Sequence, residues 1–479
     1  MKNRFNNLTS KQWLPFQKSW FLFNDLNDVL AENILFFTQI REDESYFPTI
    51  LLKTQSDQIN RLQKRSELSG RQIRPFDEHA RAAQIDFAVF DLLPAINSME
   101  SADSFPALLS QLTQDISAII GQLIQRKFIL VLAKNTLKNG VFYPFAYLIA
   151  KHLQTILSLK DEKVGIDLQK GSSAAFNNER GFTSTNNHIY ALYFRKDEAA
   201  GLNFDKAPAI NFKNHAQAQN ALTFERPFPS YQIVKPPPRK KNEILHPAKY
   251  PEVLIESFIR YFSKPDENIF DPMSGTGSTQ LAALQLQRNA YGTELSPFFA
   301  DIARQRCTLL LSQTDLFKRH ANKFQLKTKD ARDIKPDEFP PIHYIITSPP
   351  YWDMLNMKGA ENQAKRRQKG LQTNYSDSEK DLGNVADYEA FLQDLSEIYF
   401  KLFELLQPGR YMTVIVKNIK KKGRNYPLAY DLALRLSEKF ILCPESFWFQ
   451  DDLRIAPYGY GNTWVSNTFH HYCLTFQKP

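Results

Sequence analysis

Ser348-Pro349-Pro350-Tyr351-Trp352 is the stretch of this chain best suited to chemistry. Consecutive prolines stiffen a turn, remove two N–H donors and leave carbonyl oxygens facing outward. That acceptor array fits an aromatic amino group, a poor nucleophile because its lone pair is delocalised into the ring. Hydrogen bonds from its two N–H groups to the Ser348 hydroxyl and the Pro349 carbonyl would draw the nitrogen towards tetrahedral geometry. Its lone pair could then attack a methyl sulfonium in line. Tyr351 would stack on a base flipped out of a duplex.

Three stretches upstream could hold a cofactor. Asp271-Pro272-Met273-Ser274-Gly275-Thr276-Gly277 places two glycines where a backbone must turn tightly and approach a ligand closely. It lacks the third glycine of a dinucleotide fingerprint and the lysine of a phosphate loop, which argues for a cofactor without a pyrophosphate. Glu294 ends Tyr291-Gly292-Thr293-Glu294, where a carboxylate can accept from both hydroxyls of a ribose. Asp330, in Asp330-Ala331-Arg332-Asp333, could accept from an adenine amino group. Taken singly, each is as readily a tight turn, a solvated strand end or a surface turn.

The positioning elements are legible in the alternation of apolar runs with helical periodicity. The pattern predicts helices over 251–262, 278–286, 297–311 and 388–406, and strands over 268–271, 290–294, 343–347 and 411–417. This is an α/β, Rossmann-like order, in which ligands collect at the C-terminal ends of strands.

The succession DPMSGTGST, GTELSP, DARD and TSPPYW over about residues 243–440 resembles the S-adenosylmethionine-dependent DNA amino-methyltransferases, which make N4-methylcytosine or N6-methyladenine. The resemblance implies S-adenosyl-L-methionine as cofactor. It implies that Asp271, Pro272 and the Ser274–Gly277 loop hold it, with Glu294 at its ribose and Asp330 at its adenine. His246, in His246-Pro247-Ala248-Lys249-Tyr250-Pro251, would contact its methionine end. Ser348, Pro349, Pro350 and Tyr351 form the catalytic turn. Serine at the head of that turn resembles the N4-cytosine subset more than the N6-adenine one. Met273 stands where the family usually has Phe and can fill the same apolar space. C5 methylation of cytosine needs a nucleophilic thiolate, and Cys307, Cys443 and Cys473 lie on no comparable loop.

At 479 residues, with 43% hydrophobic and 23% charged residues, the chain reads as a soluble globular protein of two domains. No apolar run approaches bilayer length, the N-terminus is polar, and the three scattered cysteines lack metal spacing. The expectation is a cytoplasmic protein with no membrane contact and no metal. A formal charge of +9 suits a polyanion. Lys358, Lys365, Arg366, Arg367 and Lys369, just past the catalytic turn, and Lys420, Lys421, Lys422 and Arg424 are candidate contacts to DNA phosphates. Double-stranded DNA is the expected partner, with a cognate restriction endonuclease as a further one. An RNA amino-methyltransferase and a non-catalytic nucleic-acid-binding protein are the alternative readings.

The chain also carries an internal duplication. Residues 105–153 align without a gap onto 388–436, and in the best stretch 128–153 and 411–436 share 11 of 26 positions. Ser184, His188, Tyr190, Leu192, Phe194 and Lys196 match Ser466, His470, Tyr472, Leu474, Phe476 and Lys478 at nearly the same offset. The N-terminal half therefore reads as a degenerate, partial copy of the catalytic-side half-sheet. It has Asp91-Leu92-Leu93-Pro94 in place of the Pro-Pro turn, and no glycine loop. The resulting division is a non-catalytic domain over 1–196 for DNA binding or target recognition, a linker over 197–242 ending in a proline-lysine cluster, and a catalytic domain over 243–479. The closing patches are expected to be edge or near-edge strands.

Overall fold

The computed structural model describes residues 6, 8–40, 46–170, 181–197, 212–218, 222–235, 250–314, 322–352, 381–421, 423–451 and 466–479. Its strands form two large sheets. The first half supplies β1 (Trp20–Phe23), β2 (Thr49–Lys53), β3 (Gln72–Pro75), β4 (Ile85–Asp91), β5 (Leu123–Ala133), the hairpin β6 (Thr136–Lys138) and β7 (Val141–Tyr143), β8 (Ser158–Asp167) and β9 (His188–Arg195). The second supplies β10 (Tyr231–Ile233), β11 (Asn268–Asp271), β12 (Asn289–Glu294), β13 (Phe324–Thr328), β14 (Ile342–Thr347), β15 (Leu406–Val416), the hairpin β16 (Ile419–Lys421) and β17 (Arg424–Tyr426), β18 (Ile441–Leu442), β19 (Ser446–Phe449) and β20 (His470–Gln477).

The first sheet runs β1-β8-β9-β5-β4-β2-β3, and the second runs β10-β19-β20-β15-β14-β11-β12-β13. The two sequences of pairings are the same: one parallel pair, two antiparallel, then parallel to the end. Among the described residues, only β13 has no counterpart. Central strands such as β4 are buried throughout, because helices cover both faces of a parallel sheet. The aligned segments also agree in detail. Helix Phe105–Ile120, β5, a hairpin and helix Phe145–Leu153 correspond to helix Tyr388–Leu405, β15, a hairpin and helix Leu428–Leu436. Pro144 and Pro427 cap the equivalent last helices.

The structure departs from the sequence reading at four places. The copy is more complete than a half-sheet, since β2 and β3 stand where β11 and β12 stand. Registers make Leu52 the equivalent of Asp271 and Phe90 that of Thr347, so this part of the copy lost the polar residues by which it could be recognised. Residues 222–235 are not a linker. Leu222, Phe224 and Phe228 enter a buried cluster with Phe258 and Phe262, and Tyr231–Ile233 is the edge strand of the second sheet. A three-residue strand is too short to show a period. The closing patches, expected as edge or near-edge strands, each lie third from the edge of their sheet, between two neighbours. Finally, Asp91–Pro94 is no open turn: it leads straight into helix Leu93–Ser98, with the Asp91 carboxylate accepting from Leu93 N at 3.0 Å.

The two halves meet through a reciprocal set of buried contacts. Glu162 on β8 accepts from Asn418 Nδ2 at 2.6 Å and from the Tyr430 hydroxyl, with His470 Nε2 3.6 Å away. Glu445, at the equivalent position of the second half, accepts from Asn135 Nδ2 at 2.9 Å and the Tyr190 hydroxyl at 2.8 Å, and lies 2.8 Å from His188 Nε2. Asn135, His188 and Tyr190 align with Asn418, His470 and Tyr472. The rings of Tyr147 and Tyr430, themselves equivalent, stack between the clasps at 4.2 Å. Each half thus gives an acid and receives one, the pattern of a two-fold, isologous interface, here within one chain. Removing one partner of such a buried charged network costs about 3–5 kcal/mol.

Candidate active site

Strand order decides which side chains share an edge. With β13, β12, β11 and β14 adjacent and parallel, Asp330, Glu294, the Asp271–Gly277 loop and the Ser348–Tyr351 turn follow one another along the C-terminal edge of the second sheet. Three interstrand spacings, about 14 Å, separate the outer strands.

Asp271 is fully buried at the head of the loop. One carboxylate oxygen accepts from Met273 N at 3.0 Å and Thr347 Oγ1 at 2.7 Å, and the other from Thr279 Oγ1 at 2.7 Å and the Tyr250 hydroxyl at 3.1 Å. Burial raises its pKa against the pull of those donors. With its acceptor sites taken up by protein, Asp271 ties the loop, the segment before helix Glu252–Phe262 and the residue preceding Ser348 into one unit.

The loop itself is backbone-limited. Gly275 and Gly277 have φ of 53° and 77°, in the left-handed region. A Cβ on Gly277 would lie 2.7 Å from Ala303 Cβ and 3.1 Å from its Cα, so helix Pro297–Thr314 is the wall that excludes a side chain there. Ser274 turns inward, donating to Asp271 O at 3.0 Å and accepting from Gln280 Nε2 at 2.8 Å. The Thr276 carbonyl receives Arg306 Nη1 at 2.7 Å. A Cβ on Gly292 would meet Ser274 Oγ at 2.4 Å and Asp271 O at 2.6 Å. Gly292 was readable as a strand glycine that permits close backbone approach; Tyr250, Thr279, Gln280 and Arg306 gave no signal of their own.

Glu294 reaches back across this edge and accepts from Gly275 N and Ser296 N, each at 2.8 Å. Burial pushes its pKa up to about 7; the two N–H groups pull it down, and Asp271 and Asp381 push it up further. Asp330 forms a fork with Arg332, whose Nη2 lies 2.8 Å from Oδ2 and which also pairs with Asp394 at 3.1 Å.

At the turn, Ser348 Oγ and the Tyr351 hydroxyl are 3.1 Å apart. Tyr351 is buried, and burial raises its hydroxyl pKa. A serine hydroxyl has two acceptor lone pairs, so an incoming amino N–H can join this contact or replace it. Lys417 Nζ lies 5.4 Å from the centre of the Tyr351 ring and the His471 ring at 5.9 Å. Burial lowers the Lys417 pKa to about 8. Trp352 adopts φ 48°, a left-handed conformation that costs a non-glycine residue about 1–2 kcal/mol. Tyr426 and Tyr388 hold its ring at 4.8 and 5.3 Å, and Lys421 Nζ sits 3.9 Å over it.

His246, Lys358, Lys365, Arg366, Arg367, Lys369 and Lys422 lie outside the described residues. Lys420 is a correction. It pairs with buried Asp161 of the first half at 2.5 Å and donates to Ser466 O at 2.8 Å, so its charge is spent between the halves rather than on a phosphate. A charge run in sequence looks solvated because Asp161, which pairs with it, is 259 positions away. Among the described residues, no group of His, Cys, Asp and Glu gathers as a metal site requires, and no helix is long and apolar enough to cross a membrane.

Residues 124–305 match a family model described as a DNA methylase. The matched run begins in the first sheet at β5 and ends in the helix after β12, so it joins the copied half-sheet to the glycine loop and Glu294 and stops before Ser348. A type II methyltransferase, M.BglII, of Bacillus subtilis is 35% identical over 65 residues, 14% of this chain and 18% of the relative. An orphan methyltransferase, M.BamHII, of Bacillus amyloliquefaciens is 41% identical over 61 residues, 13% of this chain and 23% of the relative. The matches thus span about a fifth of those relatives' length. Among solved structures, the magnesium protoporphyrin IX methyltransferase of Synechocystis aligns at 13% identity and TM-score 0.29, over 48% of this chain and 83% of that one. A precorrin-6y C5,15-methyltransferase of Geobacter metallireducens aligns at 10% identity and TM-score 0.29, over 50% of this chain and 95% of that one.

Proposed function

We propose that this chain, whose sequence is of the DNA amino-methyltransferase type, transfers a methyl group from S-adenosylmethionine to an exocyclic amino group in double-stranded DNA. The observation that carries the reading is the row along the second sheet, with the Asp271–Thr347 hydrogen bond joining its cofactor-side loop to its acceptor turn. The residues fit the cofactor. Glycines with left-handed φ open the loop backbone, Glu294 is a carboxylate for ribose hydroxyls, and Asp330 stands one strand further out for an adenine. The cofactor, when bound, supplies an electrophilic methyl group on a sulfonium.

The chain's own part is positioning and electrostatics. Ser348 Oγ and the Pro349 carbonyl accept the amino N–H bonds, and the Tyr351 ring offers a stacking face to the flipped base. Lys365, Arg366, Arg367 and Lys421 neutralise backbone phosphates. Serine at the head of the turn favours cytosine N4 over adenine N6, and the type II relatives favour a restriction-modification setting. Mass-spectrometric nucleoside analysis of DNA from an expressing host tests the reading: N4-methylcytosine is expected. N6-methyladenine alone would overturn the base assignment, and unmodified DNA would overturn the activity.

A further inference from the structure

We propose that Glu162, contributed by the first half, is a positioning residue for the catalytic turn of the second. The inference rests on the methyltransferase reading above and deepens it. Glu162 touches none of the reacting groups. It binds the residues next to those that surround Tyr351. Asn418, whose side chain it holds at 2.6 Å, follows Lys417, and His470, 3.6 Å away, precedes His471. Lys417 and His471 are the groups found 5.4 and 5.9 Å from the Tyr351 ring. Asn418 is fixed on its other side too, its Oδ1 accepting from Ala429 N at 2.8 Å, while Tyr430, one residue on, donates to Glu162. His471 is locked by stacking on Trp448 at 4.2 Å. One carboxylate from the first half therefore holds the segment after β15 through Asn418 and Tyr430 and lies beside the start of β20, where His470 is bonded to Ser19 of the first half at 2.7 Å.

The mirror clasp supplies the control. Glu445 accepts from Asn135, which follows Lys134, and lies 2.8 Å from His188, the equivalents of Asn418 and His470; its tyrosine donor is Tyr190, the equivalent of Tyr472 rather than of Tyr430. The wall it fixes faces Asp91–Pro94, which has no Pro-Pro turn and no tyrosine. Both clasps hold the halves together, and only one of them stands behind chemistry. An equal structural role therefore predicts an unequal catalytic one.

The experiment compares Glu162→Gln with Glu445→Gln in the full chain, measuring thermal stability, S-adenosylmethionine affinity by calorimetry, and kcat and KM for tritium transfer to duplex DNA. Both variants should lose stability alike. Glu162→Gln should lower kcat about tenfold or more with cofactor affinity within about twofold of wild type, and Glu445→Gln should leave kcat within about twofold. The milder pair Tyr430→Phe and Tyr190→Phe, which removes one donor from each clasp, keeps the comparison readable if a glutamine variant fails to fold, and the same asymmetry is expected. Equal kcat losses in the two variants of a pair, or a wild-type kcat in both Glu162→Gln and Tyr430→Phe, would overturn the inference while leaving the methyltransferase reading intact. A wild-type chain that methylates no nucleic acid would overturn both.

Discussion

The first and second halves share strand order, pairing sense and interface, and differ at the C-terminal edge of the sheet. In the second half, Asp271 and Thr347 join the glycine loop to the Pro-Pro turn. In the first, Leu52 and Phe90 fill the same two positions, both fully buried. Where Gly292 lets the loop close on its strand, the first half has Pro75. The sheet survives the exchange because its stability comes from apolar burial and backbone ladders, which neither polar residue supplies. Chemistry of the proposed kind would not survive it, because it depends on a few side chains held at a strand end.

The most drastic test imposes one half's residues on the other. Asp271→Leu with Thr347→Phe should abolish cofactor binding and lower methyl transfer about a thousandfold or more, since the loop and the turn lose their common anchor. The fold should persist with lowered stability: Thr279, Tyr250 and the Met273 N–H lose their acceptor, while the apolar burial and backbone ladders of the sheet are unchanged. Calorimetric titration beside a thermal melt checks this, and retained cofactor binding would break the comparison.

Less severe is removal of the stacking ring. Tyr351→Ala should lower kcat about a hundredfold with cofactor affinity kept, while Asp91→Ala, at the position equivalent to Ser348, should leave kcat unchanged. Steady-state kinetics on one duplex decides it.

Glu294 sharpens the contrast through pH. Its folded pKa of about 7 lies above the unfolded value of about 4.3. Its contribution to stability is therefore complete below about pH 4.3 and is lost as pH rises to about 7. Cofactor affinity should move the opposite way, rising up to about tenfold between pH 6 and 8 as the accepting carboxylate forms. Glu294→Gln should bind weakly and show no such rise.

The smallest effect concerns charge. Neutralising Lys365, Arg366 and Arg367 together should flatten the salt dependence of DNA binding by about two to three units of slope. Lys420→Gln should leave that slope unchanged, because Asp161 already neutralises it. Affinity measured across a salt series separates the two.

Much of this was legible from residues. The strand over 268–271 was placed to the residue, and the helices over 251–262 and 388–406 to within one, because alternation and glycine punctuation are local signals. The order of the motifs gave the row along the sheet. The clasps were not legible. Glu162 sits in Lys160-Asp161-Glu162-Lys163, a run that reads as solvated surface and yet lies buried in β8. Its partners are more than 250 residues away, and nothing local marks them. One clue was available: Glu162 and Glu445 stand 283 positions apart, the offset of the aligned segments, in a stretch between the two patches of visible similarity. The first half's β2 and β3 escaped for the opposite reason, since the residues that would have announced them had been replaced by apolar ones.

The joining of the two clasps in one chain has a consequence for behaviour on dilution. Two separate subunits meeting through the same surface would come apart as their concentration fell below the dissociation constant, and any activity that needed both would fall with it. Here the partner is tethered, so its effective concentration is fixed by the chain. Specific activity should accordingly stay constant down to the lowest concentrations at which a rate can be measured. Separate encoding has a second effect. A symmetric pair of identical subunits cannot change one site without changing the other, whereas these two halves vary independently, so one can give up its site while still bracing the other.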